Sequence, residues 1–471
     1  MNHLLKFSPL LASALLCSCG DKEEKSGKPF NVLFIVVDDL RPELGCYGKS
    51  HIHSPHIDKL AAESVLFSRA YCNIPVSGAS RISFLTGTRP TRNSLMYYDD
   101  RIDEQRPGVP TLGKYFRDHG YHTIHNGKIM HHKGDAPGSW TEEWWPPSNV
   151  TWRDYEKPEN VALDTSGVTR GPAYENVDVH DTAYNDGKTA EKTITDLARL
   201  SKAETPFFLA VGFLKPHLPF NAPRKYWELY DSSAIQLPES TCKPKNAPDL
   251  AMHNSGELRH YADIPPSGPV SDKMARDLIH GYYACVSYTD AQVGKVLNAL
   301  DSLELSDNTI VVLLGDHGFN LREHGLWCKH SNFNTSLNAP LIIRAPGIKR
   351  GVKTDAIAEF VDVYPTLCEM TSLPVPDHAE GISLVNVMKD PASGADGVAV
   401  SRWMQGYTII KDNYFYTEWS DSSDKVYASM LFDHAVDPHE NVSVSDKPEN
   451  DSLIQELSSE LREHRGSRFE N

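Results

Sequence analysis

This 471-residue sequence lacks an excess of basic residues, Cys-x-x-Cys pairs and long apolar runs. The formal net charge of −16 argues against nucleic acid or an acidic membrane surface as a general partner. The eight cysteines include no Cys-x-x-Cys pair and no spacing typical of a zinc site. Beyond the N-terminal segment, no apolar stretch approaches the roughly 20 residues that a membrane-spanning helix needs. The 40% hydrophobic and 23% charged residues are instead typical of a globular protein with one large and one smaller domain.

The N-terminal segment has the pattern of an export signal. Lys6 supplies a positive charge, and residues 9–16 form an apolar run that is too short to span a bilayer. Residues 16–20 (Leu-Cys-Ser-Cys-Gly) resemble a bacterial lipobox, in which Cys19 is the lipidated residue. We therefore predict a lipoprotein signal peptide over residues 1–19 and a polar tether over 20–28. Such a protein is exported to the periplasm, the outer membrane or the cell surface, and contacts the membrane only through its lipid anchor. An ordinary signal peptide cleaved nearby and a chance apolar start are the alternatives.

Apolar runs rich in β-branched residues recur along the chain, and two of them end at acidic residues. Residues 31–37 precede Asp38-Asp39, and residues 309–315 precede Asp316-His317. Further runs occupy residues 207–212 and 340–344, and helical patterns occupy residues 57–67, 110–119, 188–201 and 271–300. Strands that alternate with helices predict an α/β fold, with helices on both faces of a large, mainly parallel sheet. Ligand chemistry is then expected at the carboxyl ends of the strands.

The pattern changes near residue 400. Short aromatic segments at residues 407–410, 414–417 and 427–432 precede an amphipathic helix at 452–464. We therefore predict a catalytic domain over residues 29–399 and a small α+β subdomain over 400–471, consisting of an antiparallel sheet with a helix. The segments 140–185 and 231–263 are rich in polar turn-forming residues and are predicted to be ordered insertions that shape a ligand pocket.

One motif within the first half of the chain is distinctive. The pattern Ser77-x-Ala79-x-Arg81, followed by Ser-Phe-Leu-Thr-Gly, resembles the signature of the sulfatase family. Further similarity to this family occurs at residues 127–131, 215–220, 316–318, 323–325, 327–329, 431–433 and 437–438. Among sulfatases, the sequence most resembles iduronate-2-sulfatase and its bacterial relatives. The resemblance spans nearly the whole mature chain and implies the alkaline-phosphatase-like fold of the formylglycine-dependent sulfatases.

The resemblance implies that Ser77 is converted to formylglycine before the enzyme acts. The hydrated aldehyde carries two hydroxyls on one carbon: one attacks sulfur, and the other, once deprotonated, collapses the adduct and expels sulfate. An unmodified serine could accept the sulfate but would have no such exit. Serine rather than cysteine at this position implies an oxygen-independent radical maturase as a partner. Ala79 stands where the family more commonly has proline.

The resemblance also implies a calcium site. Asp38, Asp39 and Asp316 match the family's calcium ligands, and Ser77 and His317 complete the set. A hard divalent cation prefers oxygen donors and would polarise both the sulfate and the attacking hydroxyl. His317 is the unusual member, because imidazole is not a favoured calcium ligand. It either ligates weakly or donates a hydrogen bond to the sulfate.

Basic side chains within the matching motifs are expected to neutralise the sulfate in the ground and transition states. The resemblance assigns Arg81 to holding the formylglycine hydrate, and Lys128 and Lys329 to contacting sulfate oxygens. Lys215 is a further candidate for substrate binding, with an ordinary surface position as the alternative.

Two histidines are candidates for proton transfer. His131 is expected to deprotonate the second hydroxyl of the hydrate, and His217 to protonate the leaving alcohol and contact the substrate. The two roles could be exchanged, because the sequence does not distinguish them.

The predicted substrate is a sulfated oligosaccharide, most specifically the 2-O-sulfate of uronic acid residues in heparan or chondroitin fragments. Ulvan, carrageenan and fucan are alternative polysaccharides, and the depth of the pocket decides between exo and endo action. Two other functions stay open at this point. One is hydrolysis of phosphate mono- or diesters by unmodified Ser77, and the other is carbohydrate binding without catalysis, which the full set of acid, base and metal residues disfavours.

Overall fold

The computed structural model of the protein describes residues 28–147, 151–394 and 397–465. The predicted signal peptide, its lipobox residue Cys19 and nearly all of the tether lie outside these ranges. Within them, no helix combines the length and the apolar character that crossing a lipid bilayer requires. The six cysteines that these ranges include form no disulfide with one another.

The strands and helices are numbered in chain order. The strands are β1 (Asn31–Val37), β2 (Val65–Tyr71), β3 (His122–Gly127), β4 (Tyr174–Val177), β5 (Phe207–Phe213), β6 (Phe220–Pro223), β7 (Thr309–Gly315), β8 (Asn320–Leu321), β9 (Trp327–Cys328), β10 (Leu341–Arg344), β11 (Val352–Glu359), β12 (Val398–Trp403), β13 (Gly406–Lys411), β14 (Tyr414–Ser420) and β15 (Val426–Asp433). The α-helices are α1 (Pro55–Ala62), α2 (Ser77–Thr86), α3 (Ile102–Gln105), α4 (Leu112–Asp118), α5 (Pro158–Thr165), α6 (Asn185–Leu200), α7 (Arg224–Trp227), α8 (Asp272–Ser302), α9 (Asn334–Leu337), α10 (Val363–Met370), α11 (Val385–Lys389) and α12 (Asp451–His464).

A seven-stranded sheet, in the order β11-β2-β10-β7-β1-β5-β3, forms the centre of the molecule. β1 runs parallel to both β5 and β7, and only β10 is antiparallel to its neighbours. Alternate side chains of β1 enter two separate cores, because successive residues of a strand point to opposite faces. Helices α2, α4 and α10 cover one face, and α1, α6 and α8 cover the other. This architecture confirms the predicted mixed, mostly parallel α/β fold.

The helix predicted over residues 57–67 is wrong at its C-terminal end. α1 ends at Ala62, and residues 65–67 begin β2, which is paired with β10 and β11. The Ser64 hydroxyl donates to the Leu60 carbonyl at the end of the helix. The residues that follow, Val-Leu-Phe, favour a strand, and apolar spacing alone does not separate such a strand from one more helical turn. The other predicted helices begin and end within three residues of the observed bounds.

The C-terminal region forms the predicted small antiparallel sheet, in the order β12-β13-β14-β15, with α12 packed against it. Leu457 and Leu461 of α12 lie in a small core with Ile409 and Leu431 of the sheet. The sequence pattern missed β12, because this strand crosses the boundary that we predicted between residues 399 and 400.

Arg402 of β12 ties the small sheet to the main domain. Its side chain is fully buried, and its guanidinium donates to the main-chain carbonyls of Thr91, Arg92 and Ser94. Because buried carbonyls need donors, these bonds fix the small sheet against the segment that follows α2.

We expect Arg402→Met to lower the free energy of unfolding by at least about 2 kcal/mol, because buried carbonyls lose their donor. Urea denaturation followed by tryptophan fluorescence measures this change. The matched control is Lys411→Met, which removes partly exposed ion pairs with Glu456 and Glu460 and should cost less than about 1 kcal/mol. Equal losses in the two variants would contradict the anchoring role of Arg402.

Candidate active site

The carboxyl ends of β1 and β7 bring four polar side chains together. Asp38 and Asp39 follow β1, and Asp316 and His317 follow β7, which is paired with β1 in parallel register. The possible ligand atoms of these four buried residues all lie within 4.8 Å of one another. Asp39 adopts a left-handed backbone conformation, and its amide donates to Asp316 Oδ1 at 3.0 Å. The structure thus gathers the strand-end residues that the sequence assigned to a metal.

Ser77 is the first residue of α2, a helix in which every residue is buried. Its Oγ lies 2.9 Å from Asp38 Oδ1 and 2.9 Å from His317 Nε2. The N-terminus of the helix directs its partial positive charge toward the same point. Gly78 permits the Tyr98 backbone to pack closely against the start of α2, because a Cβ at residue 78 would lie 2.3 Å from the Tyr98 carbonyl oxygen. Ser77 therefore faces the strand-end acids, which is where a member of the predicted metal site should lie.

Arg81 lies one turn along α2 and is 1% exposed. Its Nη2 donates to Asp316 Oδ2 at 3.0 Å, and its Nη1 donates to the carbonyls of Lys128 and Ile129. These bonds connect α2 to the ends of β7 and β3. Arg81 therefore fixes the position of Ser77 relative to the acids.

Two lysines supply positive charge beside these acids. The Lys128 ammonium, just after β3, forms an ion pair with Asp38. The Lys329 ammonium, just after β9, lies 3.0 Å from Asp39 Oδ1 and 3.0 Å from Glu257 Oε1. Both lysines line the cavity next to Ser77, where the sequence predicted sulfate contacts.

The buried carboxylates differ in pKa because their charged neighbours differ. Burial raises the pKa of Asp39 well above its usual range, and Asp38 adds to this effect while Lys329 opposes it. Burial together with the Asp38 charge raises the pKa of Asp316 to about 6. Burial also acts on Asp38, but Lys128, His217 and Arg81 together outweigh it and hold the pKa of that carboxyl well below its usual range. Crowded negative charge at this point therefore calls for further positive charge.

The donor set fits a hard divalent cation. Three carboxylates and the Ser77 hydroxyl offer oxygen ligands within one small, buried volume, and oxygen is the donor that calcium and magnesium prefer. His317 Nε2 lies 3.5 Å from Asp39 Oδ1, so the imidazole borders the same volume. Asp38, Asp39, Asp316 and His317 would hold such a cation, with Ser77 beside it.

His131 lies after β3, on the wall of the cavity. Its Nδ1 is buried and has no hydrogen-bond partner among the described residues. Burial, assisted by the charge of Lys128, lowers the pKa of His131 to about 2. At neutral pH this imidazole is therefore uncharged.

His217 is paired with Glu257, which the sequence analysis did not identify. His217 Nδ1 is hydrogen-bonded to the Leu218 carbonyl, and Nε2 lies 3.0 Å from Glu257 Oε1. Since a carbonyl and a carboxylate both only accept, the imidazole must donate from both nitrogens or the carboxyl must be protonated. Burial opposes ionisation of Glu257, but Lys329 and His217 outweigh it and hold the pKa of that carboxyl well below its usual range. Burial, assisted by the charge of Lys329, lowers the pKa of His217 to about 4, while Asp38 and Glu257 oppose that shift. The contact with Glu257 thus favours the protonated imidazole against the effect of burial.

Lys215 does not contact the cavity in the way the sequence suggested. It is 2% exposed, and its ammonium donates to the main-chain carbonyls of His217 and Pro219. The cavity wall includes His217 but not Lys215. Because the ammonium is held by carbonyls of its own segment, the geometry supports a bracing role that positions His217 rather than the predicted substrate contact.

A cavity of about 1070 Å³ opens above Ser77. The two insertions predicted from composition contribute much of its wall: residues 140–144, 147, 151–153, 170 and 185 from the first, and residues 256, 257 and 260 from the second. Aromatic side chains from the first insertion, Trp140, Trp144 and Trp152, stand among charged groups there. A cavity of this size and mixed character suits a ligand of one to a few sugar rings.

Comparisons with known proteins agree with this geometry. A family model described as Sulfatase matches residues 30–373, and one described as N-sulphoglucosamine sulphohydrolase, C-terminal, matches residues 322–467. The chain is 34% identical over 413 residues to iduronate 2-sulfatase of Mus musculus, covering 79% of this chain and 74% of that protein. It is 31% identical over 487 residues to a sulfatase of Formosa agariphila, covering 95% and 90% of the two chains.

A solved structure, the phosphonate monoester hydrolase of Agrobacterium radiobacter, superposes with a TM-score of 0.77. It is 21% identical, and the match covers 93% of this chain and 95% of that chain. At this level of identity the likeness shows a shared fold alone.

We expect added Ca²⁺ to raise the melting temperature of the protein, because an ion that binds only the folded state stabilises it by about 2.7 kcal/mol at 100 times its dissociation constant. Asp316→Asn should abolish this calcium-induced shift. The matched control is Asp290→Asn, since Asp290 is a buried acid that accepts from the His56 and Ile57 amides instead. Differential scanning calorimetry with Ca²⁺ and with EDTA measures the shift. A full calcium response in Asp316→Asn would contradict the assignment.

Proposed function

The chain belongs to the sulfatase family and is a sulfuric ester hydrolase with the family's alkaline-phosphatase-like fold, and from this premise we propose its substrate and chemistry. We propose that it removes the 2-O-sulfate of uronic acid residues in glycosaminoglycan fragments. The nucleophile in this proposal is formylglycine formed from Ser77, beside a calcium ion. The observation that carries the proposal is the Ser77 hydroxyl, 2.9 Å from both Asp38 and His317.

Conversion of Ser77 to the aldehyde removes two electrons and two protons from its CH₂OH group, which an oxygen-independent radical maturase takes up. Water then adds to the aldehyde and gives a carbon with two hydroxyls. Burial of α2 and the bonds of Arg81 hold this carbon against the strand-end acids. When bound at those acids, Ca²⁺ would supply Lewis-acid polarisation of the sulfate and the attacking hydroxyl.

The positions of the basic residues support a role for each in sulfate transfer. Lys128 and Lys329 lie beside the nucleophile and would neutralise the sulfate oxygens. One hydroxyl of Ser77 in its hydrated form gives its proton to the Asp38 carboxylate, which accepts a hydrogen bond from the Ser77 hydroxyl, and attacks sulfur. The protonated form of His217 passes its proton to the sugar oxygen as the bond from sulfur to that oxygen breaks. Neutral His131 then takes the proton of the second hydroxyl, the C=O bond re-forms, and the bond from carbon to the sulfate oxygen breaks. Sulfate leaves, and water restores the hydrate.

Two further observations support a uronic acid substrate. The mouse relative is named for 2-O-desulfation of iduronate, a uronic acid. The cavity also carries basic side chains beyond those next to Ser77, as a second anionic group on the sugar would require. Export as a lipoprotein through Cys19 stays part of the proposal and suits an enzyme that meets polysaccharide fragments outside the cytosol.

The modification of Ser77 is tested by mass spectrometry of the peptide that contains it. We expect protein from cells with a serine-competent maturase to yield a peptide about two mass units lighter than the sequence predicts, because oxidation removes two hydrogens. That protein should hydrolyse a 2-O-sulfated uronate disaccharide, and protein from cells without the maturase should have almost no activity.

Ser77→Ala is the matched control and should be inactive from either source, since it carries no hydroxyl. Full activity of unmodified protein would contradict the formylglycine mechanism. Phosphate ester hydrolysis by unmodified Ser77 would instead support the alternative function.

Glu257→Gln tests the assignment of His217 as the acid. The amide cannot stabilise the charged imidazole, so we expect kcat for a sugar sulfate to fall about 10- to 100-fold. For 4-nitrophenyl sulfate the fall should be much smaller, because nitrophenolate leaves without protonation. Equal losses for the two substrates would assign Glu257 to positioning alone.

A further inference from the structure

We propose that Arg170 is the specificity-determining cation that binds the carboxylate of the uronic acid substrate. This inference rests on the proposed function and adds to it a residue outside the sulfate-transfer machinery. Arg170 lines the same cavity as Ser77, but it belongs to the first insertion rather than to a strand end of the central sheet.

Two aromatic rings hold the Arg170 guanidinium in place. Its Cζ lies 5.4 Å from the centre of the Tyr261 ring and 5.9 Å from the centre of the Trp152 ring. The backbone is fixed as well, because Arg170 forms a parallel bridge with Tyr261 of the second insertion. A guanidinium that stacks on rings keeps its N–H edge available for a planar anion. The group is therefore prearranged to bind a carboxylate at little further cost in entropy.

The charges around Arg170 leave it available for an external anion. Among the described residues, no carboxylate forms an ion pair with it, whereas Arg153, the nearby arginine over Trp152, is paired with Asp164. Lys128 and Lys329 are likewise paired with acids of the site. Of these cations on the cavity wall, Arg170 is the one whose charge lacks a counterion within the described ranges.

Arg170 on one side, and Ser77 with His217 on the other, are placed to contact opposite ends of one sugar ring. Trp152 contacts both Arg170 and His217, the proposed acid: its ring centre lies 5.9 Å from Arg170 Cζ and 5.2 Å from the His217 ring centre. In a uronic acid, the 2-O-sulfate and the carboxylate at C5 stand on opposite sides of the pyranose ring. A sugar with its sulfate at Ser77 and its bridging oxygen near His217 would then direct the carboxylate toward the Arg170 side of the cavity.

Lys133 is the rival cation on the same wall. It lies 5.9 Å from the ring centre of Trp144 and also has no ion pair among the described residues. Its side chain is exposed, and within the described part of the chain no aromatic ring contacts both Lys133 and His217 in the way that Trp152 contacts both Arg170 and His217. We therefore assign the carboxylate to Arg170, and Lys133 provides the comparison.

The test uses full-length, matured enzyme and two substrates that differ in one group. These are a 2-O-sulfated uronate disaccharide and its carboxyl-reduced analogue, in which CH₂OH replaces the carboxylate. We expect Arg170→Gln to lower kcat/KM about 10- to 100-fold for the parent disaccharide, mainly through KM, because a charge-assisted contact made in both ground and transition state is lost. For the reduced analogue the change should be less than about 3-fold. Arg170→Lys should recover part of the loss.

The control variants are Arg276→Gln, at a partly exposed arginine of α8 away from the cavity, and Lys133→Gln. Neither should discriminate between the two substrates.

Equal losses for both substrates in Arg170→Gln would overturn the proposal and assign Arg170 to structure. A selective loss in Lys133→Gln would also overturn it and assign the carboxylate to Lys133. A wild-type enzyme that favours the reduced analogue would also overturn it while leaving sulfate hydrolysis established. Inactivity of the wild type toward both substrates, with turnover of another sulfate ester, would instead refute the proposed uronate substrate.

Discussion

The crowding of buried negative charge at the ends of β1 and β7 is the constraint on which the rest of the site depends. Asp38, Asp39 and Asp316 have no exposed surface, and their possible ligand atoms lie within 4.8 Å of one another. Carboxylates so placed are strongly destabilising unless positive charge and hydrogen bonds surround them. The site meets this need through Arg81, Lys128 and the N-terminus of α2, and a divalent cation held by the same acids would add to it. The same arrangement that compensates three carboxylates is therefore also suited to receiving a sulfate.

This constraint also explains why Ser77, the proposed nucleophile, stands on a buried helix rather than on a loop. Ser77 must keep its oxygen near Asp38 and His317 while the chemistry changes the charge around it. Arg81 on the same helix is bonded to Asp316, so a movement of α2 would break a buried charge pair. The geometry of the reacting carbon is thus coupled to the stability of the central sheet.

Much of this site could be predicted because its parts lie at positions that local sequence determines. Parallel strands end at one edge of a sheet, so Asp38 and Asp316 were expected at the same edge, and the family resemblance grouped them in one site. The pairing of β1 with β7 explains why they lie close together. Glu257 was missed because it lies in an irregular insertion, where neither periodicity nor a motif marks it. The direction of the Lys215 side chain was not predictable either, since side-chain spacing has no fixed meaning in a loop. Likewise, the boundary between α1 and β2 depends on the sheet that receives residues 65–67, which is a tertiary effect.

The insertions that sequence patterns describe least well are also the segments that contribute much of the cavity wall. This division follows from electrostatics. A chain with a formal net charge of −16 repels an anionic saccharide at long range, but salt screens exposed charges beyond about 8 Å at physiological ionic strength. Attraction must therefore come from cations that the substrate touches directly. Those next to Ser77 are already committed to acids that the chemistry requires, so recognition of a second anionic group has to be built elsewhere. An insertion can supply such a cation without disturbing the charge balance at the strand ends, and Arg170, held between rings from both insertions, has the required position.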